Sequence, residues 1–356
     1  MATLHITEPY TLIKKDGDIL LVHIPANEDL EREARKVRVP LIKVEEMVIL
    51  GDSTLTSPAL AALLDQRTPI TFLTPYGTFR GRVVPPSSRN SLLRLAQFRA
   101  HEDPQNSLRF AKQFVIGKLS NLRTQLLRSN RKLNDTEVAR SAESLKGVIQ
   151  QVDSLESDGQ PPPDPGKPQS GTAWGSLQGL EGAGTARYFA VFDRLLRGDA
   201  QITFDGRNRR PPRDPVNALL SYGYTLLLHQ CIAALQMVGF DPYVGYLHSS
   251  QYSKPALGLD LMEEFRGPVV DSVVLTVINN QILTADDFEV ELGACRLKDE
   301  PRRTYLRKYE ERLTTEITHP TFGYKATYRR CIELQARLLA KTITDEIDEY
   351  PPFKTR

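Results

Sequence analysis

The chain has 356 residues, 40% of them hydrophobic and 25% charged, with a formal net charge of +2. That length suits two or three domains with full cores, and so even a charge balance decides nothing about partners. Three cysteines, Cys231, Cys295 and Cys331, are widely spaced and odd in number, which argues against a disulfide framework and fits reduced thiols in a cytoplasm. The first residues carry neither a basic n-region nor a long apolar h-region, and no apolar run of 18 residues stands out. Neither a signal peptide nor a membrane span is therefore expected.

Residues 1–86 read as a β-rich domain. Strands are expected at Tyr10 to Lys14, Ile19 to Ile24, Pro40 to Val44, Met47 to Leu50, Ile70 to Leu73 and Thr78 to Val84, from β-branched runs between turn signals. Asp16-Gly17 predicts a type I′ hairpin between the first two. Ser57-Pro58 followed by Ala59 to Leu64 predicts one short helix, with Ser57 as its N-cap. Residues 87–356 change character: apolar side chains recur at helical spacing, as in Phe110, Phe114, Ile116, Leu119 and Leu122. The fold class expected is α+β, a small N-terminal β-rich domain followed by a larger all-α catalytic domain. A proline-rich interval, Ser157 to Gly171, reads as an exposed loop. Helices are expected to resume near Leu180, after Pro215, near Leu257, after Pro268 and after Pro301, and the tail from Glu349 reads as irregular.

Charge is uneven along this second part. Ser87 to Lys132 holds ten Lys or Arg residues against Glu102 and Asp103, a candidate footprint for phosphates. Arg207, Arg209, Arg210 and Arg213 lie in a proline-stiffened loop, where they either clamp phosphates or pair with Asp205 and Asp214. Arg296 to Arg312 mixes seven basic with four acidic residues around Tyr305 and Tyr309, whose spacing favours packing on a helix over stacking on bases.

The most informative stretch runs from Gly245 to Arg266. His248 stands in a turn twelve residues before Asp260, and Asp260, Glu263 and Glu264 are spaced i, i+3 and i+4, on one face if a helix starts nearby. Crowded like charges on such a face are relieved by a divalent cation, and imidazole with carboxylates suits manganese, magnesium or zinc. The plainer reading is a solvated acidic helix face beside a hydrogen-bonded loop histidine. Glu181 sits in Glu181-Gly182-Ala183-Gly184, read as the first turn of a helix, where two glycines point to tight packing or to a glutamate that reaches a metal.

Four motifs in order, Leu180 to Phe189, Arg207 to Tyr224, Gly245 to His248 and Leu259 to Arg266, resemble the CRISPR-associated adaptation integrase, the metal-dependent subunit of spacer acquisition (the Cas one family). The β-rich start, with Pro40-Leu41-Ile42-Lys43-Val44 and Gly51-Asp52-Ser53, resembles that family's N-terminal domain. The resemblance implies that Glu181, His248 and Glu263 hold Mg²⁺ or Mn²⁺, that Asp260 belongs to the catalytic site and orients a ligand or a metal-bound water, and that Glu264 is a further candidate member. Lys254 stands where Arg is frequent in the family and Ala256 where Ser is frequent. Arg207, Arg209, Arg210 and Lys254 become DNA contacts. The implied activity is insertion of short foreign DNA into a CRISPR array by 3′-hydroxyl attack on repeat phosphodiesters, with endonuclease activity when water replaces the hydroxyl, in cytoplasmic antiviral defence. Implied partners are double-stranded DNA, a second copy bound through the β-rich domain, and a small ferredoxin-like CRISPR adaptation protein. Two other readings stay open: a transposon-encoded integrase of the same superfamily, and a DNA-binding scaffold that has lost catalysis.

Overall fold

A computed structural model of the chain describes residues 2–27, 33–75, 77–85, 90–160, 171–199, 201–208, 211–248 and 254–355. The chain divides into two compact units, Met1–Ser87 and Ser88–Arg356.

In the first unit, β1 (Ala2–Ile6), β5 (Val44–Leu50), β7 (Ile70–Leu73) and β8 (Phe79–Val83) form one sheet in the order β1-β5-β7-β8, in which only the β7/β8 pair is antiparallel. A second sheet has the order β4-β3-β2-β6, from β2 (Thr11–Asp16), β3 (Ile19–Ile24), β4 (Arg35–Pro40) and β6 (Ser53–Leu55). Apolar residues of both sheets, Ile13, Leu20, Met47 and Ile70, meet Ala59 and Leu63 of helix α1 (Ser57–Asp65) in one core. Burial alternates at the start of β2, where Thr11 and Ile13 point in, as a half-covered sheet requires.

Several expectations are corrected here. The hairpin register pairs Asp16 with Ile19, so the turn residues are Gly17 and Asp18, and only Gly17 has a positive φ, +56°. That is the type II′ pattern rather than I′, with glycine first because the left-handed conformation falls on it. The expected strand at Pro40 to Val44 is instead the end of β4 followed by a 3₁₀ turn, Leu41–Lys43. The N-cap of α1 is Thr56 rather than Ser57. Strands β1, β4 and β6 were not anticipated; β4 is mostly solvent-facing and β6 has three residues, so neither carries a hydrophobic run.

The second unit is built from α2 (Ser91–Glu102), α3 (Pro104–Leu133), α4 (Thr136–Asp153), α5 (Ala173–Phe189), α6 (Pro215–Val238), α7 (Ala256–Glu263), α8 (Ser272–Asn279), α9 (Asp299–Leu313) and α10 (Tyr328–Ile343). It is not wholly helical. Two antiparallel ribbons, β9 (Phe288–Glu291) with β10 (Ala294–Leu297) and β11 (Glu316–Thr318) with β12 (Lys325–Thr327), interrupt it. They are too short to show a period of two. Asp103 caps α3 by accepting from the N–H groups of Gln105 and Asn106, ahead of Pro104. This 30-residue helix packs against α4, α5 and α7 and forms the spine of the unit.

Helix α6 has no Asp, Glu, Lys or Arg over 24 residues. By length and composition it passes for a membrane span, contrary to the expectation that no such run exists, yet 61% of its most apolar window is buried inside this unit. It packs against α7 and α10 as a core helix. Tyr305 and Tyr309 are fully buried, and Tyr305 donates its hydroxyl to the Leu219 carbonyl of α6 at 3.1 Å, so they pack rather than face solvent. Of the proline-rich interval, residues 161–170 lie outside the described residues, as do Arg209, Arg210 and Arg89.

Candidate active site

Three helices and one turn converge. Helix α5 begins at Ala173, capped by Thr172 through the N–H of Gly175, so Glu181 lies in mid-helix rather than in a first turn. The start was missed because Gly175 and Gly179 lower the helical signal. Of the two glycines beyond Glu181, Gly184 bears on packing: a Cβ there would lie 2.6 Å from Leu119 Cδ2 of α3. The missing side chain lets α5 close on α3. Glu181 thereby reaches Lys118, with which it forms an ion pair, and it also accepts from Thr185 Oγ1 at 3.1 Å.

The turn carrying His248 is held from two sides. From α2, Gln97, wholly buried, donates to the carbonyls of Asp241 and Val244 at 2.8 and 2.9 Å, and His101 Nδ1 lies 2.6 Å from the Gly245 carbonyl. From α7, the Asp260 carboxylate accepts the N–H groups of Tyr246, Leu247 and His248 at 2.6, 3.0 and 2.9 Å, and His248 Nδ1 at 2.8 Å. Both its oxygens are in use. With Nδ1 donating to Asp260, the other ring nitrogen, Nε2, is the one left facing Glu263 Oε1, 3.8 Å away. Gly245 is required: a Cβ would lie 2.7 Å from Ala256 C, from Leu257 N and from Asp260 Oδ2.

Glu263 is almost wholly buried, 3% exposed. Its carboxylate pairs with Lys118 Nζ at 2.8 Å and with Arg266 Nη2 at 3.1 Å. Burial pushes its carboxyl up, but Arg266, Lys118 and His248 outweigh burial and hold it down at about 2. Arg266 lies over the Tyr224 ring, 4.7 Å from its centre. The Tyr224 and Tyr188 hydroxyls both donate to Asp271, at 2.6 and 2.9 Å, so a buried polar chain joins α6, α5 and the π-helical turn Arg266–Asp271 that follows α7. Burial pushes the Asp271 carboxyl up to about 6, against the hydrogen bonds of its two tyrosines.

The solvated acidic face is not what forms: Asp260 and Glu264 are wholly buried and Glu263 nearly so. Nor do the three acids act together. Helix α7 ends at Glu263, and residues 263 and 264 point about 100° apart. Glu264 turns away to the tail, accepting from the Phe353 N–H at 2.5 Å and Gln335 Nε2 at 3.1 Å, with the Tyr350 hydroxyl at 2.6 Å. Burial pushes its carboxyl up to about 8, against these hydrogen bonds. The tail is irregular in secondary structure, as expected, but Tyr350 and Phe353 are core residues.

Among the predicted phosphate contacts, Lys254 lines a cavity of about 260 Å³ with Gln178, Glu181, Leu247 and His248. Arg207 is drawn inward, donating to Asn217 Oδ1 at 2.5 Å and Ser221 Oγ at 3.1 Å, and braces its loop on α6. It also lines a larger cavity of about 720 Å³ with Glu181, Phe189, Asp193 and Phe204. Glu181 thus lies open to both cavities.

The family model described as CRISPR associated protein Cas1 matches residues 4–311. The chain belongs to the Cas1 family. It is 36% identical over its whole length to CRISPR-associated endonuclease Cas1 3 of Thermus thermophilus, covering 98% of that protein. It is 37% identical over 99% of its length to a CRISPR-associated exonuclease Cas4/endonuclease Cas1 fusion of Geobacter sulfurreducens, of which it spans only 60%. Among solved structures it is similar to a casposase bound to integration product, with a TM-score of 0.83 at 22% identity, covering 100% of this chain and 95% of that one. A partial Cas6-RT-Cas1--Cas2 complex gives a TM-score of 0.66 at 26% identity, covering 99% and 98%.

Lys118 and Arg266 join the site without having stood out in the sequence as site residues. A signal existed for each. Lys118 falls on the apolar stripe of α3, four residues from both Phe114 and Leu122, where a solvated lysine has no place. Arg266 stands three residues after Glu263, in reach of an ion pair.

Proposed function

We propose that this chain is a divalent-metal-dependent DNA endonuclease and integrase that inserts short foreign DNA into a CRISPR array. The observation that carries the reading is that Glu181 and Glu263 meet on a position taken by a cation, the Lys118 ammonium, with His248 Nε2 3.8 Å from the Glu263 carboxylate. Two carboxylates and an imidazole suit Mg²⁺ or Mn²⁺, and the ammonium stands in for the ion, so the residues fit the group. Glu181, His248 and Glu263 would hold it. When bound, it polarises a phosphoryl oxygen and offsets charge in the transition state.

The chain's own residues do the rest. Asp260 fixes the orientation of His248 and presents Nε2. Arg266 keeps Glu263 ionised in its buried position. Lys254, which lines the cavity that reaches His248, would meet a DNA phosphate, and the basic side chains of α2 and α3, with the loop holding Arg207, Arg209 and Arg210, would hold backbone without reading sequence. In strand transfer the incoming 3′-oxygen bonds to the repeat phosphorus as the repeat's own 3′-oxygen leaves, so no protein nucleophile is needed. Water in the same role gives strand cleavage.

The same reading makes the protein a cytoplasmic homodimer joined through its β-rich unit, bridged to a second dimer by a small ferredoxin-like adaptation protein. The neighbour solved in a complex with Cas2 supports such a partner. A transposon-encoded integrase is the weaker reading, because the casposase likeness at 22% identity carries fold alone while relatives at 36–37% are named CRISPR-associated endonucleases. A non-catalytic scaffold is disfavoured because none of the three ligands is missing. The test incubates short duplex DNA, a supercoiled plasmid carrying the repeat, the partner protein and Mn²⁺ or Mg²⁺, and scores strand transfer. Product is expected from the wild type and none from folded Glu181→Ala or His248→Ala; full activity in either variant overturns the site assignment, and equal activity in EDTA overturns the metal.

A further inference from the structure

Lys118 is a cation buried where a cation is needed. It is 4% exposed, and its ammonium pairs with two carboxylates carried by different helices, Glu181 of α5 and Glu263 of α7. Helix α3 packs against both of these helices, so its lysine enters between them from a fixed backbone. Two carboxylates brought together repel, the more so because Glu263 is almost wholly buried, and Lys118 offsets that repulsion. As they stand, no three His, Cys, Asp or Glu side chains among the described residues are close enough together to hold a metal ion. The carboxylates are gathered around the ammonium instead. An ion cannot take that position while the ammonium keeps it, and the lysine stem has four rotatable carbons by which its head can withdraw.

We propose that Lys118 is a tethered cation that holds the place of the divalent ion between Glu181 and Glu263 and is displaced when the ion binds. The proposal rests on the metal-site reading above. It makes Lys118 a positioning residue with two effects. The site stays assembled without metal, and the affinity for metal is set lower than the ligands alone would give. A lysine that merely filled space or stiffened the ligands would act the other way, since its loss would loosen the site and weaken binding.

The test measures Mn²⁺ binding to the full chain, reading free Mn²⁺ by electron paramagnetic resonance and unfolding by thermal melts in EDTA and in saturating Mn²⁺. Lys118→Met keeps most of the stem and removes the charge; Lys118→Gln does so with a polar head; Lys118→Arg keeps the charge. Removing a unit charge at contact distance from a divalent ion is expected to tighten Mn²⁺ binding at least about tenfold in the Met and Gln variants. Both should also melt lower than wild type in EDTA and gain more from Mn²⁺, while the Arg variant binds no more tightly than wild type. Unchanged or weaker Mn²⁺ binding in both neutral variants overturns the proposal. So does failure of both to fold even with Mn²⁺, since the ion would then not replace the ammonium. Glu181→Ala and Glu263→Gln separate the two claims: if they bind Mn²⁺ as wild type does, it is the metal-site reading that falls.

Discussion

Replacing Asp260 by alanine tests whether the His248 turn hangs on one carboxylate. The substitution removes the acceptor for three backbone N–H groups and for His248 Nδ1. Tyr246 and Leu247 are buried, and a buried donor left unpaired costs about 1–3 kcal/mol. Water entering the space vacated by the carboxylate recovers part of this, which places the loss near 3 kcal/mol. For a unit of this size that corresponds to a melting temperature lower by roughly 6 °C. Asparagine recovers about half, because its oxygen accepts on one side while its amide hydrogens meet N–H donors on the other. His248 also loses its orientation, and loss of such a partner lowers metal affinity about 10–100-fold. The assay is a thermal melt of each variant with a Mn²⁺ titration of the folded protein. An alanine variant that melts within about 1 °C of wild type and binds Mn²⁺ equally would refute the account of the turn.

Two further outcomes follow from neighbouring residues. Gly245→Ala should lower the melting temperature by several degrees and weaken Mn²⁺ binding, because the added Cβ meets the backbone of Ala256 and Leu257 at 2.7 Å; wild-type values for both would show that the close approach is relieved at no cost. Glu264→Gln tests the buried carboxyl at the tail. Its folded value, about 8, lies above the ordinary 4.5, so its contribution to stability is complete below about pH 4.5 and is lost as pH rises through 8. One proton gives a slope of up to about 1.4 kcal/mol per pH unit in that window. Glutamine, donating to Tyr350 and accepting from Phe353, should remove that slope, so urea midpoints at pH 6 and pH 8.5 should converge for the variant relative to wild type; parallel behaviour of the two proteins would contradict a protonated Glu264.

How far the site was legible depended on the kind of signal. His248, Asp260 and Glu263 stood out because a turn histidine shortly precedes two acids at helical spacing on an otherwise apolar helix. Glu181 lies far from them in the chain, and by its residues alone it was one glutamate beside two glycines; the ordered motifs of the family singled it out. Glu264 was grouped with its neighbours because spacing does not say where a helix ends. Helix α7 stops at Glu263, and the C-terminal tail claims the next side chain. Lys118 was counted into a basic stretch, although its place on the apolar stripe of α3 marked it as buried.

By itself, the sequence determined the order of a β-rich and a mainly helical unit, most of the helices, and the family, because these rest on local periodicity, turn chemistry and ordered motifs. The tertiary structure decided what each charged group does. Asp260 spends both oxygens on one turn, Arg207 braces its own loop, Arg266 holds Glu263 ionised, and Lys118 takes the place between two carboxylates. These roles depend on which helices meet. A charge has no fixed consequence until burial sets the local dielectric and packing sets its distance to the next charge.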